Sequence, residues 1–283
     1  MNELIKFIRT FVNMNQEQFA TALGTTVISI NRWENGKTMP NNMAQKQLYK
    51  FCVENQMNIA VADWIIKAKK YAHNDDKLIL YHGSKSGIVG DITPKSREEC
   101  DFGRGFYMGT TTLQPLTLVC AEKKPLFYTV EFDLTGLKVL QVEIDMDWAM
   151  MIAYNRKEME DFKGTSIYEK YSKLTEGYDV IIGYIANDRM YTELSRFFNK
   201  TLTDVALMNC LSALDLGMQY VAITEKACRQ IKIITEESLK PLELLSLIDL
   251  SVARRKDGIS LAEEIEVKYR REGKFFDEIL RGD

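Results

Sequence analysis

A chain of 283 residues that is 46% apolar and 10% aromatic can bury real hydrophobic cores, so it reads as globular, and its length favours two domains. No apolar run approaches the roughly 20 residues of a membrane span, and Met1-Asn2-Glu3-Leu4-Ile5-Lys6 enters an amphipathic helix without a signal-peptide layout. Five scattered cysteines without CxxC spacing and only two histidines, His73 and His82, argue for reduced cytoplasmic thiols and against a metal centre. The net charge of −3 conceals an asymmetry: residues 1–70 hold nine Lys/Arg against five Asp/Glu, so a basic head is attached to an acidic body.

Leu4, Ile5, Ile8, Phe11 and Val12 recur at helical spacing and predict a first helix. Asn15 stands three residues before Gln18, the spacing of a capping box, and opens a second helix through Phe19, Ala20 and Leu23 that Gly24 ends. Thr25-Thr26 start a third, carrying Ile28, Ile30 and Trp33, and Asn35-Gly36 stop it. After Pro40 and Asn41-Asn42 comes a fourth, with Leu48, Tyr49 and Phe51 on its apolar side. Two short helices around a tight glycine turn are a helix-turn-helix signature. A further helix near Ile59 to Tyr71 runs into the polar stretch His73-Asn74-Asp75-Asp76, which marks the domain boundary.

Beyond it the pattern becomes strands: Leu78–Tyr81, Phe127–Phe132, Val139–Val142, Val180–Tyr184, Tyr220–Ile223 and Ile231–Ile234. Helical segments intervene around Leu113–Ala121, Asp147–Ala153, Thr192–Phe198 and Thr203–Leu214. The expected architecture is an all-α helix-turn-helix domain over 1–72, an α+β domain with a split mixed sheet over 77–235, and a charged helical tail over 236–283. The tail's Arg254-Arg255-Lys256 and Lys268…Arg270-Arg271 are interleaved with acids and read as a solvated face or a partner-docking element.

From Met14-Asn15-Gln16-Glu17-Gln18 to Arg32-Trp33-Glu34-Asn35-Gly36-Lys37…Pro40 the head resembles the Xre/Cro-type repressor family, over residues 1 to about 55. Gln16, at a helix N-terminus, is placed to meet a phosphate. Thr25, Thr26, Ser29, Asn31 and Arg32 lie on or beside the third helix, where side chains reach base edges in the major groove, and Lys37 would touch the backbone. The expected partner is DNA, bound by a homodimer. A small helical domain of this kind also serves protein contacts alone.

In the body the first strand ends Leu80-Tyr81-His82-Gly83-Ser84, and Asp101-Phe102-Gly103-Arg104-Gly105-Phe106-Tyr107-Met108-Gly109-Thr110 follows about twenty residues later. A strand-end histidine and glycines that admit close backbone approach point to a ligand pocket. The Gly103-x-Gly105 pair lacks the third glycine and the βαβ setting of a Rossmann turn.

These segments resemble the His and Tyr motifs of diphtheria-toxin/PARP-like ADP-ribosyltransferases. More closely, residues 77–235 resemble DUF3990, a bacterial family placed in that superfamily, through Asp179…Tyr184-Ile185-Ala186-Asn187-Asp188-Arg189-Met190-Tyr191 and a late strand opening on Gln219. The resemblance implies NAD as the ADP-ribose donor and no metal. His82 would bond an NAD ribose, Gly83 and Ser84 would hold the carboxamide corner, with Gly105 and Asn187 also on the cofactor. Tyr107 would stack on nicotinamide, an aromatic contact worth about 1 kcal/mol.

The departure lies at Gln219, where the toxin/PARP pattern has glutamate. Glutamine keeps a hydrogen bond but brings no charge and is no base, so poly-ADP-ribose chains are not expected. Another acid, with Asp188 favoured, would then supply the charge for single transfers onto an acceptor macromolecule. Each residue also has a plainer reading: His82 as a satisfied strand end, Tyr107 and Phe106 as core aromatics, Gln219 as a strand-edge polar group, and Asp188-Arg189 as a local ion pair. Analogy places such fusions in toxin–antitoxin or phage-defence systems, with a possible antitoxin partner. The competing function is a transcriptional regulator that senses NAD or a nucleotide without catalysis, and a further one is a scaffold that binds neither.

Overall fold

The computed structural model describes residues 1–71, 78–186, 190–213 and 216–281. The expected boundary at His73-Asn74-Asp75-Asp76 lies outside them. The head contains α1 (Asn2–Phe11), α2 (Gln16–Ala22), α3 (Val27–Glu34), α4 (Asn42–Glu54) and α5 (Ile59–Tyr71). Its helix ends follow from local chemistry. The Asn15 side chain accepts from the Gln18 backbone N–H at 2.8 Å, and the Gln18 side chain accepts from the Asn15 N–H at 2.9 Å. Gly24 then takes φ +61, the left-handed turn that an L-residue resists, and Thr26 caps α3. Thr25 therefore precedes the cap instead of opening the helix.

Leu4, Ile5, Ile8, Phe19, Ile30, Trp33, Leu48 and Phe51 meet in one core. Two apolar residues expected on the inward faces point outward: Phe11 is 65% exposed and Ile28 66% exposed. Phe11 is the last residue of α1, its ring stacked on Phe7 with centroids 6.0 Å apart. Ile28 sits on the face of α3 opposite Ile30, as two helical steps of about 100° each require.

The body is built from β1 (Leu78–Ser84), β2 (Phe106–Gly109), α6 (Leu113–Val119), β3 (Leu126–Phe132), β4 (Val139–Gln141), α7 (Met146–Asn155), α8 (Ser166–Ser172) and β5 (Val180–Tyr184). There follow α9 (Met190–Phe198), α10 (Asp204–Leu211), β6 (Met218–Ala222), α11 (Glu225–Cys228) and β7 (Ile231–Ser238). The described strands form one mixed sheet in the order β4-β5-β6-β2-β1-β3-β7. Among the described strands only β4 and β5 run parallel. The split expected from the sequence is a pinch within a continuous sheet: β1 and β2 share the single pair Tyr81↔Gly109, whereas β1 and β3 pair along seven residues. Trp148, Met151, Phe197 and Leu207 pack one face near β5 and β6, and Leu80, Val130 and Phe132 belong to the core of the other half.

The C-terminal region departs most from expectation. Residues 236–238 are strand, not helix, because β7 continues its ladder with Glu236 and Glu237 opposite Tyr128 and Phe127. As an edge strand with a solvated face, β7 tolerates the charge that resembles a helix surface in the sequence. Beyond it come α12 (Pro241–Tyr269) and α13 (Phe276–Arg281).

Pro241 occupies the first turn of α12, where its missing N–H costs nothing. At 1.5 Å per residue α12 is about 43 Å long, and it is not a free tail. Leu242 is buried in the head's core, and Leu247 packs with Ala60 of α5, Tyr81, Leu116 and Phe127. Ser246 donates to the Asn58 side chain at 2.9 Å, and Tyr49 donates to Asp249. Farther along, Glu266 holds Arg196 of α9 and Ala262 is buried. One helix therefore spans the head, the sheet and the far helices.

Candidate nucleotide-binding cavity

The ends of β1, β2 and β6, the loop between β1 and β2, α6 and a turn of α12 enclose a cavity of about 900 Å³. His82, Gly83, Ser84, Gly105, Tyr107 and Gln219 all line it. The antiparallel register brings them together, since β2 lies between β1 and β6 with Gly109 opposite Tyr81 on one side and Gln219 on the other. Asn187 and Asp188, the other residues expected here, lie outside the described residues.

The Nδ1 of His82 lies 2.7 Å from the Tyr107 carbonyl oxygen, which can only accept, so Nδ1 carries a hydrogen, and in the neutral ring Nε2 keeps its lone pair. Burial pushes the imidazole pKa below its ordinary 6.5, against the opposing pull of that carbonyl. The ring stacks on Phe106 with centroids 4.3 Å apart. A neutral imidazole with a free lone pair is an acceptor suited to a sugar hydroxyl.

Tyr107 is anchored by its hydroxyl, which donates to the Gly103 carbonyl at 2.7 Å and accepts from the Phe102 N–H at 3.0 Å. Burial first, and then the nearby Asp101 charge, hold its pKa well above the usual value, so it remains a neutral phenol. The ring is thereby fixed against the cavity wall. Phe106, its neighbour, is a core residue.

Gln219 is buried and spends its amide on two acceptors: Nε2 donates to Asp101 Oδ2 at 3.0 Å and to the Tyr184 carbonyl at 3.3 Å. The acid bonded to Gln219 is thus Asp101, to which the sequence pattern assigns no role. Asp101 is itself buried and also receives Arg156, whose Nε lies 2.8 Å from Oδ1 and whose terminal nitrogen bonds the same oxygen. Asn155 holds the Asp101 backbone carbonyl at 3.1 Å. Gln219, Asp101 and Arg156 thus form one hydrogen-bonded chain of side chains, although Gln219 and Asp101 lie 118 positions apart in the sequence.

Two glycines are required by space. A Cβ on Gly83 would come 2.4 Å from the Pro115 carbonyl oxygen, and one on Gly105 would come 2.4 Å from Val221. Ser84 holds the turn after β1, its hydroxyl accepting from the Gly87 N–H at 2.9 Å.

The cavity walls carry Lys85, Lys95, Arg97, Arg156, Arg254 and Arg255 against Asp91, Glu99 and Asp101. With His82 neutral, cations outnumber carboxylates two to one, a field that favours an anion. Arg254, half-buried, and Arg255, exposed on the solvated face expected of the tail, also line the cavity, because α12 packs against α6. Among the described residues no cluster of His, Cys, Asp and Glu is arranged to hold a metal, and no helix is long and apolar enough to cross a membrane.

In the head, Thr26, Asn31, Arg32 and Lys37 are exposed, and Thr25 and Ser29 are half-buried at the N-terminal part of α3. Thr26 and Ser29 bond each other at 2.9 Å. Gln16 reaches both Glu34, at 2.7 Å, and Asn31, at 3.5 Å, so it braces α2 against α3. Glu34 opposes its own burial with bonds from Arg9 and Gln16, and its pKa is held below the ordinary value. Val27 and Ile28, exposed on the same helix and given no part in DNA contact by the sequence pattern, add apolar groups of the kind that meet thymine methyls.

Comparison with known families matches two segments. A family described as a protein of unknown function (DUF3990) matches residues 78–233, and a helix-turn-helix family matches residues 5–43. No curated protein and no solved structure matches the chain.

Proposed function

We propose that this chain, which belongs to the DUF3990 family, is a mono-ADP-ribosyltransferase that uses NAD and is attached to a DNA-binding helix-turn-helix head. The observation that carries the reading is the junction of Gln219, Asp101 and Arg156 in the same cavity as a neutral His82. A volume of about 900 Å³ suits a dinucleotide, and the excess of cations suits its diphosphate.

Transfer would break the bond between ribose C1′ and the nicotinamide nitrogen, the electron pair leaving with nicotinamide, while an acceptor lone pair bonds to C1′ and the acceptor's proton passes to solvent. His82 Nε2 would accept from a ribose hydroxyl, and the fixed ring of Tyr107 would stack on the nicotinamide. The Gln219 carbonyl oxygen would take a second ribose hydroxyl, since its amide hydrogens are committed to Asp101 and Tyr184. Asp101 would supply the negative field near C1′, reduced by Arg156. A single acceptor fits better than a polymer because the side chain at position 219 cannot take a proton. A toxin or phage-defence role is the setting we propose for such chemistry.

Incubation with NAD labelled in the adenylate half, together with protein and nucleic-acid fractions, tests this reading. Label on a macromolecule that is lost in Gln219→Ala and Asp101→Ala supports it. NAD binding without any transfer supports instead a sensor, which one observation favours: α12 joins the cavity wall to the core of the head. In that case NAD changes the affinity of the chain for its operator.

A further inference from the structure

The segment shared with DUF3990 ends at residue 233, but the cavity does not. Ser251, Arg254 and Arg255 of α12 line it, at spacings of three and four that place them on one helical face. α12 packs against α6, and α6 packs against β1 through the close approach of Pro115 to Gly83. This wall lies on the β1 side, whereas Gln219 lies on β6, two strands away. At strand spacings of about 4.8 Å the two ends are roughly 10 Å apart.

The two ends differ in charge. At the β6 end Arg156 is matched by Asp101. At the other end Lys85 is matched by Glu122 at 2.6 Å, while Arg254 is half-buried and forms no ion pair among the described residues. A half-buried guanidinium facing an open cavity is satisfied by a bound anion, and its planar fork suits a phosphate oxygen pair.

We propose that Ser251, Arg254 and Arg255 form an anion subsite for the diphosphate of a nucleotide, supplied by this chain's own C-terminal helix and not by the family segment. The subsite rests on the nucleotide reading of the cavity given above. Ser251 donates its hydroxyl to one phosphate, and the Arg254 guanidinium holds the diphosphate, with the exposed Arg255 adding positive charge beside it, while the sugar extends toward His82.

Titration calorimetry of the full chain with ADP tests the subsite without requiring turnover. Arg254→Gln, alone and with Arg255→Gln, should weaken ADP by about tenfold or more, the cost of a charged hydrogen bond at about 1.4 kcal/mol per decade. Adenosine affinity should be unchanged, and Arg254→Lys should retain part of the ADP affinity. Lys256→Gln, on the same helix but outside the cavity lining, should bind like the parent. If the double variant does not fold, Arg254→Gln with its melting curve carries the comparison.

Failure of the parent to bind ADP overturns the subsite, as does equal ADP affinity in Arg254→Gln and parent. A variant that loses affinity for a short oligonucleotide but not for ADP also overturns it, by assigning the arginines to nucleic-acid phosphate. The outcomes separate from those of the transferase reading. Arginine-dependent ADP binding without NAD binding keeps the subsite and removes the transferase, whereas NAD transfer with an unaltered NAD KM in Arg254→Gln does the reverse.

Discussion

The Gln219 amide donates a 3.0 Å hydrogen bond to the buried carboxylate of Asp101. That contact ties the start of β6 to the loop before β2, and it defines what substitution at 219 must do. Gln219→Glu would set two carboxylates side by side, and like charges at that distance raise one pKa strongly. The folded protein would then bind a proton that the unfolded chain releases. Stability of the variant is therefore expected to be highest at acid pH and to fall as pH rises through the raised pKa, by about 1–3 kcal/mol. Denaturant midpoints between pH 4 and 8 measure this, and adding Asp101→Asn should reduce the dependence to what burial of Glu at 219 alone produces.

His82 acts in the opposite direction. Its folded pKa lies below 6.5 because it is buried, so between that value and 6.5 the unfolded chain binds more protons. Its contribution to stability is complete above about 6.5 and is lost as pH falls toward the folded pKa. His82→Gln should flatten that part of the stability profile relative to the parent. Nitrogen-15 shifts of the imidazole should report a hydrogen on Nδ1 at pH 7.

Gly83→Ala forces a methyl to within 2.4 Å of the Pro115 carbonyl oxygen, a backbone atom that cannot rotate away. Overpacking of this kind costs about 1–3 kcal/mol. Because α6 must retreat, ligand affinity should fall along with the melting temperature. Gly90→Ala, where a Cβ meets nothing within 4 Å but φ is +74, is the control for strain without a clash.

In the head, Arg32→Ala should weaken operator binding by about 1–3 kcal/mol if the guanidinium reads a base edge. A phosphate contact would instead lower affinity for all sequences and reduce the salt slope by about one. Binding measured on specific and scrambled duplexes at several salt concentrations separates the two. Ile28→Ala is expected to cost less and to act only on the specific duplex.

What could be read from the sequence was whatever short-range chemistry decides. The Asn15–Gln18 capping box, the Gly24 turn and the strands β3 and β5 are each set by neighbours a few residues apart. The strand-end His82 and the glycines of the cavity were legible in the same way, whereas Tyr107 and Gln219 were picked out only through the family resemblance, and the register collects them all. Contacts between distant segments were not. Nothing in the string Asp101-Phe102-Gly103 announces a partner at position 219 or 156. The charge of Glu236 and Glu237 concealed an edge strand. That Arg254 of α12 is half-buried beside a cavity was not legible either, because its orientation depends on where Leu242 and Leu247 anchor the helix.

The most direct test of the central claim is transfer of label from adenylate-labelled NAD by the purified full chain, compared between the parent, Tyr107→Ala and Asp101→Asn. The expected result is label bound to a protein or nucleic-acid acceptor with the parent, and at least about a tenfold loss in both variants, equivalent to about 1.4 kcal/mol of transition-state stabilisation. Transfer that is undetectable with the parent, or equal in all three, would contradict the assignment of this cavity to ADP-ribosyl transfer.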